Sequence, residues 1–216
     1  MRSFFVTGTD TECGKTRVSC ALIRALREKG QTIAPMKPIA SGAESVDGGL
    51  RNADAVDLIA AASGDWPYAR VNRYIFEPPI APHLAAREAD VRIDPEEVRE
   101  DFDWLRERSD RVVVEGVGGW AVPLSEELML ADLVRVLQLP VVVVIGMKLG
   151  CLNHGLLTVR RILDDGFPLI GWIANRIDPE MLRYEDNLAT LERVIPVPRI
   201  ATLEHGATEL EIEAVL

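Results

Sequence analysis

Nine residues near the start of the chain have the types and spacing of a phosphate-binding loop: Gly-Thr-Asp-Thr-Glu-Cys-Gly-Lys-Thr, at positions 8 to 16. In such a loop, Lys15 supplies a positive charge for the phosphates, and the Thr16 hydroxyl can ligate a magnesium ion that bridges two of them. The usual pattern has glycine six residues before the lysine, but Thr9 stands there and Gly8 lies one step earlier. The loop is therefore a variant. The alternative interpretation is a glycine turn that only caps a helix.

The elements around this loop decide between the two interpretations. An apolar strand precedes it at residues 3 to 7, and from Lys15 onward apolar residues recur at helical spacing as far as Gly30. A helix that begins directly after a loop presents unpaired backbone N–H groups and the positive end of its dipole to an anion. The strand–loop–helix order therefore favours binding of nucleotide phosphates.

A second set of candidate residues follows the next predicted strand, residues 32 to 38, in which Lys37 lies at the C-terminal end. Ligands of open α/β sheets collect at that end, so Lys37 is a candidate site residue, and a solvated surface lysine is the alternative. Ser41 lies in a small-residue loop after it. Asp54 opens a short helix, residues 55 to 62, where it can either cap the helix or bind a metal ion.

Three later strands also lead to candidate site residues. Glu115 follows the buried strand that begins at Arg111, and the glycine-rich residues after it let backbone pass close to a ligand, which favours metal or nucleotide contact. The β-branched run 140 to 146 predicts a central strand that feeds a helix start near Gly150, where a carboxylate can dock. Asn175 ends the strand at 169 to 176, and its amide can both donate and accept hydrogen bonds.

The alternation of strands and helices along the chain predicts an α/β fold of the P-loop NTPase type. We expect a mostly parallel central sheet of about seven strands with helices on both faces. A length of 216 residues suits one domain, residues 1 to 216, and buries roughly 70% of the extended-chain surface. Repeats, linkers and low-complexity segments are absent from the sequence, which supports one domain.

Composition limits the partners that we expect. The net charge is -10, from 24 Lys and Arg against 34 Asp and Glu, so neither nucleic acid nor an anionic membrane is a favoured partner. Three cysteines, Cys13, Cys20 and Cys151, show no metal-binding or disulfide spacing. Neither a leader peptide nor an apolar run approaching the ~18 residues of a membrane span is visible. We therefore expect a cytoplasmic protein.

Taken together, these segments resemble the dethiobiotin synthetase family, over nearly the whole chain. The resemblance rests on the loop at 8 to 16, Met-Lys-Pro-Ile-Ala-Ser-Gly at 36 to 42, Asp54, Pro-Ile-Ala-Pro-His at 79 to 83, Glu-Gly-Val-Gly-Gly at 115 to 119, Lys-Leu-Gly-Cys-Leu-Asn-His at 148 to 154, and Trp-Ile-Ala-Asn at 172 to 175. The chain departs from the family pattern at Trp120 and after Pro198, where Ala-Thr-Leu-Glu replaces the usual base-binding loop.

The resemblance implies an ATP-dependent ligase that closes a cyclic urea from 7,8-diaminononanoate and CO2. In that reaction the diamine takes up CO2 as a carbamate, ATP phosphorylates the carbamate oxygen, and the second amine displaces phosphate. The chemistry needs positioned cations and N–H donors more than it needs a nucleophile. The resemblance also implies ATP as co-substrate, Mg2+ as metal, and a homodimer with the substrate site at the subunit interface.

Residue roles are carried over from the family in the same way. Lys37, Lys15 and Thr11 are expected to be catalytic, and Thr16, Asp54 and Glu115 to hold the magnesium ion. The ATP-binding residues implied are Glu12, Cys13, Gly14, Lys15, Thr16, Arg17, Asp54, Glu115, Gly116, Val117, Gly118, Asn175 and Arg176. The substrate-binding residues implied are Ser41 and, from the neighbouring subunit, Gly150, Cys151, Leu152 and Asn153.

Two other functions remain compatible with the phosphate loop. One is a related P-loop small-molecule synthetase or kinase, and the other is an ATPase switch. The switch type usually carries a second lysine within its variant loop, where this chain has Asp10. A generic kinase has no reason to carry the pattern formed by Lys37 and Ser41. Both features favour the ligase.

Overall fold

The computed structural model describes residues 3–210 and 212, and in this part of the chain strands and helices alternate. The strands are β1 (Phe4–Gly8), β2 (Ile33–Met36), β3 (Ile39–Ser41), β4 (Glu44–Val46), β5 (Gly49–Arg51), β6 (Tyr74–Phe76), β7 (Arg111–Glu115), β8 (Val141–Gly146), β9 (Leu169–Asn175) and β10 (Arg199–Leu203). The helices are α1 (Lys15–Glu28), α2 (Ala53–Ala62), α3 (Tyr68–Val71), α4 (Pro82–Glu88), α5 (Pro95–Arg106), α6 (Leu130–Leu137), α7 (Cys151–Asp164) and α8 (Tyr184–Val194).

Six strands form the central sheet in the order β10-β9-β8-β1-β7-β2, and every neighbouring pair is parallel. The predicted parallel α/β fold is confirmed, with six strands in this sheet instead of about seven. Two additional pairs lie outside it: β3 with β6, and the hairpin of β4 and β5. Because the strands are parallel, β1, β2, β7, β8 and β9 all end at one edge, where the candidate residues gather.

The core lies on both faces of this sheet because successive side chains of a strand point to opposite sides. In β7, Val112 and Val114 pack into one apolar cluster, and Val113 packs into the other. The first cluster includes residues of α4 to α8, and the second includes residues of α1 and α2. All six residues of β8 are buried, as its continuous β-branched run predicts for a strand covered on both sides.

Several element boundaries differ from the sequence-based prediction. The helix predicted at 128 to 139 spans only Leu130–Leu137, because Gln138 adopts a left-handed conformation with φ 55° that ends it. The last strand, predicted at 196 to 200, is β10 at Arg199–Leu203. Within the described residues, we find no helix with the length and apolarity required of a membrane span.

Candidate active site

The phosphate loop runs from the end of β1 to the first residue of α1, as predicted. Gly14 precedes α1 with φ 84°, and a Cβ atom there would lie 1.9 Å from Nδ2 of Asn175. At Gly8, a Cβ atom would lie 2.3 Å from the sulfur of Cys13. Both positions therefore need glycine, one for its left-handed backbone and both for space. The contact with Cys13 is thus a structural reason for glycine at position 8, although the usual pattern places glycine at position 9.

Lys15 lies over this loop and is buried. Its Nζ donates a hydrogen bond to the carbonyl of Asp10 at 2.9 Å. The Lys15 side chain therefore lies along the loop and does not extend into solvent. Burial lowers the pKa of the Lys15 ammonium, and the nearby Lys37 lowers it further, whereas the carboxylates of Glu115 and Asp54 oppose the change. A partly desolvated ammonium beside backbone N–H donors is suited to an anion with several negative charges.

Lys37 is the cation at the centre of the site. Its Nζ lies 2.6 Å from Oε1 of Glu115, 2.9 Å from Oδ2 of Asp54 and 3.1 Å from the carbonyl of Gly116. The residue is 3% exposed. Burial acts to lower the pKa of Lys37, but the two carboxylates outweigh it and the pKa is raised. The surface-lysine alternative is therefore wrong, and Lys37 is a buried, protonated cation at neutral pH.

Asp54 does not cap α2, so that interpretation is wrong. Asn52 is the N-cap residue, and its side-chain oxygen accepts from the backbone N–H of Ala55 at 3.4 Å. Asp54 lies in the first turn with its carboxylate directed to Lys37. Burial acts to raise the pKa of Asp54, yet the positive charge and hydrogen bond of Lys37 reverse that effect, and the pKa is lowered. The carboxylate is thus ionised and half-exposed to the cleft.

Glu115 is fully buried at the end of β7 and contacts two of the other candidate residues. One carboxylate oxygen, Oε1, accepts hydrogen bonds from Thr16 Oγ1 at 2.8 Å and from Lys37. Among the described residues, nothing donates to the other oxygen, Oε2. A buried carboxylate oxygen without a partner is costly, so this atom is a candidate ligand for a cation. The structure thus brings Thr16, Asp54 and Glu115 together as predicted.

A cleft of about 800 Å3 opens over these groups. Its polar side includes Thr11, Lys15, Thr16, Lys37, Ser41 and Asp54, and its apolar side includes Pro79, Ile80, Val117 and Val122. Ser41 Oγ is buried without a hydrogen-bond partner among the residues that the structure describes, so it can bind a ligand in the cleft. Glu12, Gly14, Arg17 and Gly118 also line it. One cavity therefore holds part of the predicted nucleotide and substrate residues, whereas Cys13, Glu115 and Gly116 do not line it.

The residues predicted to bind the substrate carboxylate lie elsewhere. Gly150, with φ 98°, precedes α7, and Cys151, Leu152 and Asn153 form its first turn. None of these four residues lines the cleft of the same chain. The neighbouring Leu149 is 93% exposed. The structure thus separates this helix start from the cleft that it was predicted to serve.

The residues predicted to contact the nucleotide base and its surroundings make internal contacts. Asn175 is fully buried, and its Nδ2 donates to the carbonyl of Cys13 at 2.8 Å, which fastens the phosphate loop to the end of β9. Arg176 donates to Glu204 at 3.3 Å and lies over the ring of Tyr184. Arg17 donates to the carbonyl of Ala207 at 2.7 Å. For these residues, nucleotide contact stays a prediction.

Sequence reasoning missed three residues that hold the backbone of the site, of which Asn52 also lines the cleft. Asn52, Tyr68 and Asn72 form hydrogen bonds around the backbone of Lys37 and the start of α2. Asn52 was recognisable as a possible cap by its type and its place before α2. Tyr68 and Asn72 carried no such signal, because their importance depends on which chain segments meet in space.

Comparison with known proteins finds a matching family model and relatives of high sequence identity. A family model described as an AAA domain matches residues 2–208. The ATP-dependent dethiobiotin synthetase of Aromatoleum aromaticum is 49% identical over 217 residues, covering 100% of this chain and 96% of that protein. The synthetase of Xanthomonas oryzae pv. oryzae is 50% identical over 196 residues, covering 91% of this chain and 88% of that protein.

Solved structures with much lower identity share the fold. The cell division protein FtsY of Thermotoga maritima has a TM-score of 0.55 at 15% identity, over 98% of this chain and 65% of that one. The 54 kDa signal recognition particle protein of Aeropyrum pernix has a TM-score of 0.59 at 16% identity, over 98% of this chain and 44% of that one.

The parallel sheet and the lysine-bearing loop between β1 and α1 define a nucleotide-binding protein of the P-loop class. Within that class, the identity of about one half over the whole chain shows the particular family. The chain belongs to the ATP-dependent dethiobiotin synthetases.

Proposed function

We propose that the protein closes the ureido ring of dethiobiotin from 7,8-diaminononanoate and CO2, with conversion of ATP to ADP and phosphate. One amine of the substrate combines with CO2 to give a carbamate and a proton. A carbamate oxygen then takes the γ-phosphoryl group of ATP, and the second amine attacks the carbamoyl carbon to expel phosphate and lose its proton. The observation that carries the proposal is the buried Lys37 ammonium beside the phosphate loop, together with the family membership.

The charge state of Lys37 decides its role in this proposal. Because the two carboxylates raise its pKa, Lys37 stays protonated at neutral pH and cannot accept a proton from the amine. We propose that it stabilises negative charge on the carbamate and on the transferred phosphoryl group. Lys15 holds the β- and γ-phosphates, and Thr11 and Ser41 contact the substrate. The apolar wall at Ile80 and Val122 limits the access of water to the mixed anhydride.

Magnesium fits the residues present. The unpartnered Oε2 of Glu115, the half-exposed Asp54 carboxylate and the Thr16 hydroxyl are hard oxygen donors, and Mg2+ typically takes one or two carboxylates with substrate phosphates. These three residues would hold the ion. Its contribution would be to neutralise charge on the phosphates and keep them in line with the carbamate.

The proposal includes a homodimer that completes the substrate site. The start of α7 at Gly150 offers a left-handed turn and the N-terminus of a helix, whose dipole suits a carboxylate, yet it lies outside the cleft of its own chain. Exposed apolar side chains flank it, with Leu149 93% and Leu157 62% exposed. Association through this surface would bring the helix start to a partner's cleft. Cytoplasmic action belongs to the same proposal and suits three free cysteines.

Purified protein tests the proposal directly. The protein is incubated with ATP, magnesium, bicarbonate and the diamine, and products are followed by mass spectrometry and phosphate release. We expect a cyclic urea and one phosphate for each urea formed. A phosphorylated diamine without ring closure would identify a kinase instead, and phosphate release that does not depend on the diamine would identify an ATPase switch.

A further inference from the structure

Two side chains outside the cleft hold the backbone on both sides of the central ion pair. Asn72 is 1% exposed, and its Nδ2 donates to the carbonyl of Lys37 at 2.6 Å. Its Oδ1 accepts from the hydroxyl of Tyr68 at 3.0 Å. The oxygen of that hydroxyl in turn accepts from the backbone N–H of Asn52 at 2.7 Å. A continuous chain of hydrogen bonds therefore joins the end of β2 to the start of α2.

This series of hydrogen bonds matters because it joins the two segments that carry the partners of one ion pair, Lys37 and Asp54. Lys37 directly follows the last residue of β2, whereas Asp54 lies two residues after Asn52 in the first turn of α2. The backbone N–H of Lys37 is also held, since it donates to the carbonyl of Val71 at 2.8 Å. Tyr68 is the first residue of α3 and Asn72 is its C-cap residue, and the backbone N–H of Asn72 donates to the carbonyl of Tyr68 at 2.8 Å, which fixes their relative positions.

From this arrangement we infer that Tyr68 and Asn72 are positioning residues of the active site, acting on Asp54 and Lys37 respectively. Neither side chain lines the cleft, so neither touches substrate. The inference rests on the proposed function, because it needs Lys37 and Asp54 to act in the reaction. Its physical basis is that a displacement of about 1 Å at a reacting group can cost ~10²-fold in rate.

The hydrogen bond from Asn52 to Tyr68 and the one from Asn72 to Lys37 can be removed separately by substitution. Tyr68→Phe removes the hydroxyl, which leaves the N–H of Asn52 without its acceptor but keeps the bond from Asn72 to Lys37. Asn72→Asp keeps an acceptor for Tyr68 and replaces the donor to the Lys37 carbonyl with an oxygen. The first variant therefore releases the backbone at the start of α2, near Asp54, and the second releases the backbone of Lys37.

Tyr74 provides a matched control for the first variant. Its hydroxyl also accepts from a backbone N–H, that of Asp94 at 2.9 Å, and donates to a carboxylate, that of Glu97 at 2.7 Å. It does not line the cleft. Tyr74→Phe therefore loses one donated and one accepted hydrogen bond as Tyr68→Phe does, but at the start of α5, which carries neither Lys37 nor Asp54. The two variants should lose similar thermal stability, which separates positioning from folding.

The test measures kcat, KM for the diamine, magnesium dependence, ATP affinity by calorimetry, and melting temperature for each variant and the wild type. We expect Tyr68→Phe to lower kcat about tenfold and to need more magnesium for half-maximal rate, with ATP affinity within about twofold, because loss of the hydroxyl lets the start of α2, and with it the Asp54 carboxylate, shift from its position in the site. Tyr74→Phe should keep the wild-type kcat. Asn72→Asp should lower kcat at least as much as Tyr68→Phe and leave the magnesium dependence unchanged.

Two results would overturn the inference: a kcat for Tyr68→Phe within twofold of the wild type, or an equal loss of kcat in Tyr68→Phe and Tyr74→Phe. If Asn72→Asp does not fold, the comparison of the two tyrosine variants still decides. An inactive wild-type protein would instead count against the proposed function, so the two failures are distinguishable.

Discussion

Replacing Lys37 with methionine would remove the only side-chain nitrogen that contacts Glu115 Oε1 in the described residues, while keeping most of the side-chain volume. Lys37 is 3% exposed, and its ammonium lies 2.6 Å from Glu115, which is 0% exposed. The substitution therefore leaves a buried carboxylate with the hydroxyl of Thr16 as its remaining donor. Asp54 is affected less, because its side chain is 43% exposed and water can replace the lost partner.

The expected loss of stability follows from this difference in burial between Glu115 and Asp54. Removing one partner of a buried ion pair typically costs about 3–5 kcal/mol, because the other charge stays buried without compensation. We expect Lys37→Met to lose about that much free energy of unfolding in the absence of nucleotide and metal. Removing both charges in a Lys37→Met/Glu115→Gln double variant should recover part of the loss. In turnover, Lys37→Met should lose ~10²-fold or more, the scale for removal of a transition-state charge contact.

The pH dependence provides a second readout of the same pair. Because the pKa of Lys37 is raised above its ordinary value of 10.5, its contribution to stability is fully present below about pH 10.5 and declines as the pH rises through the folded-state value. The difference in free energy of unfolding between wild type and Lys37→Met should therefore stay constant from neutral pH to about 10.5 and shrink above it. Denaturant titrations at a series of pH values measure this difference.

Calorimetric titration with ATP completes the assay, since Lys37→Met should keep ATP affinity within a few-fold. A turnover within about threefold of the wild type at saturating diamine would refute the role given to Lys37. A stability equal to that of the wild type would refute the energetic argument, because Glu115 would then have to be compensated by another group.

Three further expectations concern residues around this pair. Lys15→Met should weaken ATP binding as well as turnover, in contrast to Lys37→Met, and calorimetry distinguishes them. Asp54→Asn should raise the magnesium concentration for half-maximal rate with little change in melting temperature, because Asn52 supplies the cap; a large drop in melting temperature with normal magnesium dependence would contradict this. Leu149→Glu should convert the proposed dimer to a monomer in light scattering and lower activity, and a fully active monomeric wild type would exclude a shared site.

Local patterns in the sequence were enough to predict the six strands of the central sheet, the phosphate loop and most helices, but not the short strands β3 to β6, of which β3 includes Ser41, predicted to lie in a loop. The β-branched run of β8, the helical spacing of α1 and the glycines of the loop act over a few residues, so their meaning does not depend on distant parts of the chain. The meeting of Lys37 and Glu115 was also predictable, because the parallel strands β2 and β7 end at the same edge of the sheet.

Only the tertiary structure decided which groups meet. Residue type made Asp54 a plausible cap, but the chain path places Asn52 at that position and directs Asp54 to Lys37. The amide type of Asn175 suits either a nucleotide base or a loop backbone, and in the structure its Nδ2 donates to the backbone carbonyl of Cys13, which is 162 residues away in the chain. The link from Tyr68 through Asn72 to Lys37 had no sequence signal. Hydrogen bonds between distant segments depend on distances of about 3 Å that packing sets, and no local pattern encodes those distances.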